Sequence, residues 1–406
     1  MRTIDRLVFG AVVLTLTVLS LVGCVRSREA VSGLEVLVGS EFASLHGKRV
    51  GVIANHTALD SELRHLVDLL AATAGVKLVA VFSPEHGFRG VAQAGESVGS
   101  GRDPVTGVPI YSLYGETRAP TPTMLEGIDV LLFDIQDVGV RAYTYLSTLS
   151  AALEVAAGEN IEFWVLDRPN PLGGEILEGP VLVEGAQSFV GAHTVPLRHG
   201  LTPGEFALLV DRERDLGARI EVVRVHGWDR QDAWPLGAGW VAPSPNIPTA
   251  DTALLYAGFV LVEGTNLSEG RGTTRPFQLI GAPWLEAPRV VDVLNSAGLS
   301  GVRFRATAFE PTFSKYVGEV CQGVEVHVTD RATFRPVATT FSLISTIRKL
   351  HPELFEFKEA VFDKLAGTVD FREAIVSGRS WEDLRRTMAA DLRDFRQRRE
   401  PVLLYD

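Results

Sequence analysis

Carboxylates and histidines gather in short polar clusters along this chain. Glu85 and His86 stand in Ser-Pro-Glu-His-Gly-Phe, where Pro84 stiffens the turn and Gly87 permits a tight one. A carboxyl held at a cleft rim can carry a proton near neutral pH and act as a general acid. Asp134 and Asp137 flank Gln136, with Arg141 and Tyr143 just beyond. Acidic groups in so apolar a run are costly unless paired, and an ion pair with Arg141 is the structural alternative to a catalytic role. Glu263-Gly-Thr-Asn266-Leu-Ser-Glu269-Gly-Arg271-Gly-Thr mixes charges and amides in a flexible loop able to close on a polyhydroxylated ligand. Arg271 could fork onto a ligand carboxylate there, the plain alternative being a solvated loop with an internal ion pair. Gly95-Glu-Ser97-Val-Gly99 matches Gly-x-Ser-x-Gly, yet loop-like sequence surrounds it where a nucleophile elbow needs a strand before and a helix after. The nine histidines include no His-Glu-x-x-His; His56, His86, His193 and His199 are scattered, so no metal site is expected.

These clusters follow a regular series of elements. Arg49–Asn55, Lys77–Ser83, Asp129–Asp137 and Ile161–Asp167 are short apolar runs, and helical stripes occupy Ser61–Ala74 and Thr144–Gly158. Continuous apolar runs alternating with helices predict βαβ units, hence a Rossmann-like, doubly wound parallel sheet of the α/β class. Ligands of such sheets bind beyond the carboxyl ends of the strands. The four runs end in Asn55-His56, Ser83-Pro-Glu85-His86, Asp134-Ile-Gln-Asp137 and Asp167-Arg-Pro-Asn170, so the fold would bring the polar clusters to one rim. Neither Gly-x-Gly-x-x-Gly nor a Walker A sequence is present, and no nucleotide cofactor is expected. Further on, Val302–Phe309 and Gly323–Thr329 read as strands, and Arg335–Leu350 and Ser380–Gln397 as helices, the last opened by a capping box of Ser380 and Asp383. These predict a smaller C-terminal α+β domain over residues 281–406, beside a catalytic domain over 49–280. Pro243-Ser-Pro-Asn246-Ile-Pro would sit near the junction, where clefts form.

The 406 residues carry a formal charge of −11, which argues against a nucleic-acid partner, because such proteins need a positive footprint. Two cysteines leave no disulfide scaffold. Arg2 and Arg6 precede an apolar stretch over 7–22, too short for a span of about 20 residues, and then Leu21-Val-Gly-Cys24. This is the pattern of a secretion signal. Leu-x-Gly-Cys resembles the bacterial lipobox, so residues 1–23 are expected to be a lipoprotein signal peptide, Cys24 to carry lipid, and 24–48 to form anchor and tether. The expected location is extracytoplasmic, on a bacterial membrane. Cys321 is expected to be a small buried hydrophobe.

Several long motifs in order resemble the bacterial exo-β-N-acetylmuramidase family, long filed as a domain of unknown function. They are Ser-Pro-Glu85-His-Gly-Phe, Phe-Asp134-Ile-Gln-Asp137-Val-Gly-Val-Arg141-x-Tyr143-Thr-Tyr145, Asp167-Arg-Pro-Asn170-Pro, Pro-x-Arg198-His-Gly-x-Thr-Pro-Gly-Glu, Pro-Ser-Pro-Asn246-Ile-Pro, the Glu263–Thr273 loop, Phe-Ser-Lys315-Tyr-x-Gly and Val-His327-Val-Thr-Asp330. The resemblance implies a Rossmann-like domain with a smaller C-terminal one, and release of N-acetylmuramic acid from the non-reducing end of peptidoglycan fragments. Glycoside hydrolysis usually needs two carboxyl groups. On that reading Glu85 is the general acid, and Glu263, Glu269, Asp134 and Asp137 compete for the second role. His86, Tyr143, Asn170, Asn246 and Asn266 suit hydroxyl and acetamido contacts, and Arg141 or Arg271 the lactyl carboxylate of the sugar. A lipid-anchored sugar-binding protein without catalysis, an acyl hydrolase using Ser97, and an exo-enzyme for another hexosamine are the rival readings.

Overall fold

The computed structural model describes residues 30–90, 95–96, 99–233 and 239–406. Cys24 and Ser97 lie outside them. The first part of the chain runs α1 (Gly33–Gly39), β1 (Arg49–Ala54), α2 (Leu66–Ala72), β2 (Lys77–Ser83), β3 (Gly101–Arg102), β4 (Pro109–Ser112), α3 (Pro122–Leu125), β5 (Val130–Asp134), α4 (Tyr145–Gly158), β6 (Glu162–Leu166), β7 (Glu178–Val181), β8 (Pro196–Arg198), α5 (Pro203–Arg214) and β9 (Ile220–Val223). It continues with α6 (Ala250–Phe259), β10 (Leu279–Ala282), α7 (Ala287–Ser296), β11 (Val302–Phe309), β12 (Cys321–Val328), α8 (Pro336–Leu350), α9 (Glu359–Ala366), α10 (Asp370–Val376) and α11 (Trp381–Arg399).

Seven strands form the main sheet in the order β3-β4-β2-β1-β5-β6-β9. All pairings are parallel except that of β3 with β4 at one edge. The apolar runs predict this, since strands covered on both faces have no polar side to alternate with. Successive residues of β1 point to opposite layers: Val50, Val52 and Ala54 pack with Leu34, Leu37, Leu66 and Leu70 of α1 and α2. Ile53 packs on the other face, with Leu149 and Leu153 of α4 and Phe206 of α5. From β1 the chain winds first to β2 and β4, then back across to β5, β6 and β9. That reversal opens a crevice at the carboxyl ends near β1.

The second unit is a three-stranded antiparallel sheet, β10-β12-β11, with helices around it. Helix α6 packs on α8, and a 3₁₀ turn over Val260–Gly264 packs on α9. The core of this unit is continuous with one face of the main sheet. Cys321 is buried there as a free thiol.

Two elements are shorter than the periodicity suggests. The helical stripe from Ser61 becomes helix only at Leu66, because Asp60 accepts backbone N–H bonds from Glu62 and Arg64 and closes a turn first. His65 then caps the helix by accepting from the N–H of Val67. The third apolar run stops at Asp134, since Asp137 Oδ2 accepts from the N–H of Gly139 at 2.6 Å and bends the chain away. Gly139 is there at φ 74°, and a Cβ on it would lie 2.3 Å from the amide oxygen of Asn170. Ser380 caps α11, its hydroxyl oxygen accepting from the N–H of Asp383 while its O–H donates to the Asp383 carboxylate.

Candidate active site

A cavity of about 760 Å³ lies between the main sheet and the second unit. On the sheet side it is lined by groups that follow β2, β4 and β5 directly. Glu85 and His86 leave β2 through a turn in which the N–H of Gly87 reaches the carbonyl of Pro84. His86 takes the left-handed conformation, φ 71°, strain that turns its side chain to the cavity. Glu85 is nearly buried, and both of its oxygens accept hydrogen bonds: Oε2 from the Thr144 hydroxyl at 2.5 Å, Oε1 from the N–H of Gly95 at 3.0 Å. Among the described residues it has no ion-pair partner. Tyr143, which follows β5, meets Tyr145 and Tyr256 edge-on at 4.9 and 5.8 Å between centroids, and Tyr256 meets Phe277 at 4.9 Å. These rings build an aromatic floor, and Asn246 supplies an amide beside it.

The opposite wall carries charge. Glu263 stands on the 3₁₀ turn with about a quarter of its side-chain surface open to the cavity. Arg271 donates to it at 2.8 Å and lies 3.5 Å from Glu269. Lys315 donates to Glu269 at 3.0 Å and to the carbonyls of Val262, Glu263 and Leu267. Loss of hydration raises the Glu263 carboxyl above its usual range, while Arg271 draws it back. Burial, then the Glu263 charge, hold the Tyr256 phenol well above the ordinary range. One carboxyl without an ion pair among the described residues thus shares the cavity with a carboxyl braced by Arg271, each from a different unit.

Glu85, His86, Tyr143, Asn246, Glu263, Glu269 and Arg271 therefore share the cavity. The other candidates are built into the frame. Asp134 is fully buried and paired with Arg168, Oδ1 to Nε at 2.5 Å and Oδ2 to Nη2 at 3.1 Å; its partner is not Arg141. Asp137 lies beneath the aromatic floor, and burial pushes its carboxyl up to about 7. Among the described residues Arg141 has no ion-pair partner: its guanidinium donates to the carbonyls of Pro180, Val195, Leu365 and Ala366. Asn170 spends its amide on the carbonyl of Leu201 and the N–H of Leu172. Asn266 bridges to the backbone of Leu354 and Glu356. Asp137 and Asn170 hold local turns, Asp134 is spent on a buried ion pair, and Arg141 and Asn266 tie distant backbone together.

Tyr114, Arg118, Tyr256 and Lys364 also line the cavity and were missed in the sequence. Tyr114 and Arg118 follow the short strand β4, which lies next to the edge strand β3, in a stretch without a periodic signal. Tyr256 reads as one more apolar residue of α6. Lys364 is an exposed lysine on a helix, indistinguishable by type from any solvated one.

The sequence matches the models of both halves of one family: Exo-beta-N-acetylmuramidase NamZ, N-terminal, over residues 50–251, and its C-terminal counterpart over 254–405. It is 47% identical over 376 residues to the peptidoglycan beta-N-acetylmuramidase NamZ of Bacillus subtilis (strain 168), covering 92% of this chain and 91% of that one. Crystal structures of two DUF1343 family proteins from Bacteroides fragilis NCTC 9343 share the fold. One has TM-score 0.87 and 39% identity over 93% of this chain and 100% of that one. The other has 0.76 and 31%, over 93% and 99%. With both halves matched in order and identity sustained over nine-tenths of its length, the chain belongs to the exo-β-N-acetylmuramidase NamZ family.

Proposed function

We infer that this protein hydrolyses the β-glycosidic bond of a terminal, non-reducing N-acetylmuramic acid residue in peptidoglycan fragments. The observation that carries the reading is that Glu85, after β2, and Glu263, on the 3₁₀ turn of the second unit, line one cavity. Hydrolysis breaks the bond between C1 and the leaving oxygen. That oxygen must receive a proton, and positive charge grows at C1. Glu85 lines the cavity with no ion-pair partner among the described residues and suits the proton donor. Glu263, braced by Arg271, suits the carboxylate that stabilises C1 or directs water to it. Tyr143, Tyr256 and Asn246 offer the sugar an apolar face and an amide.

Turnover of a chromogenic β-N-acetylmuramide and the matching β-N-acetylglucosaminide by the chain from residue 30 tests this. Release from the muramide alone is expected. Glu85→Gln should lower kcat by about 10²–10⁴-fold on a muramoyl disaccharide, and much less with an activated aryl leaving group, which needs little protonation. Glu263→Gln should lower both alike. Muropeptide binding without release from either sugar would refute hydrolysis.

The same reading includes export and a lipid on Cys24. The apolar stretch before Leu-Val-Gly-Cys24 supports it, as does a substrate class found outside the cytoplasm. Labelled palmitate should enter the full-length protein in a bacterial host and be lost in Cys24→Ser; equal labelling of both would exclude the anchor.

A further inference from the structure

Arg118 lies on the cavity wall between β4 and α3, on the same side as Glu85. Its guanidinium stands 3.8 Å from the ring centroid of Tyr114 and 4.5 Å from that of Phe189. The two rings are 5.8 Å apart and inclined by 51°, so they form a wedge around it. An arginine stacked by its face can turn its N–H edge to a carboxylate in a two-pronged fork, and the Tyr114 phenol, itself hydrogen-bonded to Arg118, helps to orient that edge. No carboxylate pairs with Arg118 among the described residues. The other cavity cations differ. Arg271 is spent on Glu263 and Glu269, and Lys315 on Glu269 and three carbonyls. Lys358 and Lys364 are exposed ammonium groups on flexible stems, without a fork.

We propose that Arg118, held by Tyr114 and Phe189, recognises a carboxylate borne by the substrate sugar and so sets the preference for an α-alkoxy acid over a plain hexosamine. This rests on the glycosidase reading above. In muramic acid the lactyl ether sits on C3, two carbons from the scissile C1. Arg118 and Glu85 are neighbours in the same sense, since the phenol of Tyr114 lies beside both. A sugar with C1 at Glu85 therefore carries its lactyl carboxylate toward Arg118. Amidation of that carboxylate, as in a peptide-bearing fragment, removes the charge Arg118 reads. Peptide-free sugars are then the preferred substrates.

Binding calorimetry with three probes tests the assignment: N-acetylmuramic acid, its lactyl methyl ester, and N-acetylglucosamine. The wild type should bind the acid most tightly. Arg118→Ala should weaken the acid by roughly 10- to 100-fold, the worth of a charge-assisted hydrogen bond, and leave the ester nearly unchanged. Arg118→Gln, which keeps a planar group in the wedge, should do the same, and Arg118→Lys should recover part. In turnover, KM for the muramide should rise more than kcat falls. Equal weakening of acid and ester would overturn the proposal, because the stack would then merely shape the wall. So would an acid preference kept in Arg118→Ala and lost in Lys358→Ala or Lys364→Ala. A wild type that neither cleaves the muramide nor prefers any probe would overturn the glycosidase reading itself.

Discussion

Asp134 and Arg168 show how an acidic residue at a strand end can be structural. Both oxygens of Asp134 are met by one guanidinium, with the carboxylate fully buried and the arginine side chain a tenth exposed. Two charges out of water stabilise little as a pair, but removing one strands the other. Asp134→Ala should therefore lower stability by about 3–5 kcal/mol. The double variant with Arg168→Met should regain much of it in urea unfolding. The folded fraction of Asp134→Ala should keep turnover of the muramide. A folded, stable Asp134→Ala without turnover would instead return Asp134 to the chemistry. Glu85 follows β2 and Asp134 ends β5, the strands on either side of β1, and both looked catalytic by type. Only the cation beside Asp134 separates them.

At the scale of elements, Arg141 ties the turn after β5 to a hairpin and a helix. It donates to Pro180 and Val195, at the facing ends of β7 and β8, and to Leu365 and Ala366, the last two residues of α9. Carbonyls at a helix C-terminus have no partner within the helix and carry partial negative charge, which stabilises a cation there. Burial lowers Arg141 only to about 9, so it stays charged. Gly367 follows at φ 78°, where a Cβ would lie 2.7 Å from an Arg141 nitrogen. Arg141→Met should cost about 3–5 kcal/mol by leaving buried carbonyls unpaired. Arg141→Lys should restore only part, since an ammonium cannot span four acceptors. A drop in affinity for N-acetylmuramic acid with unchanged stability would show a ligand role instead.

Across the whole molecule, Glu178 links the β7–β8 hairpin to the second unit. Its Oε1 accepts from the N–H of Ala338 in the first turn of α8, and its Oε2 is buried with no hydrogen-bond partner among the described residues. Burial pushes this carboxyl up to about 7. In the unfolded chain a glutamate titrates near 4.3. Between those values the folded state holds a proton that the unfolded state has lost, so this group's contribution to stability falls as pH rises through the window. Buried His199, pushed down to about 3, acts in the opposite sense at lower pH. The clean measurement is thus a difference. Glu178→Gln, nearly isosteric with the protonated acid, should lose less stability than the wild type from pH 4.5 to 7.5, by on the order of 2 kcal/mol. Parallel stability profiles for the two proteins would rule the linkage out.

The parallel sheet, its helices and the polar strand ends were legible in the sequence, because burial on both faces writes continuous apolar runs. Lys77–Ser83 and Val302–Phe309 coincide with their strands to the residue. Motif chemistry also marked Glu85, Glu263, Glu269 and Arg271 for one site. The division of those motifs between cavity and frame was not legible. Asp137, Arg141 and Asn170 have the residue types of a binding site, yet they satisfy backbone groups at buried turns, and such partners lie up to 225 residues away. The Tyr114–Phe189 wedge around Arg118 likewise joins two loops that share no periodicity. Local sequence sets which groups are polar and which segments bury themselves. Which polar group faces solvent, a cation or a carbonyl is decided by long-range packing, through the cost of leaving any buried one unpaired.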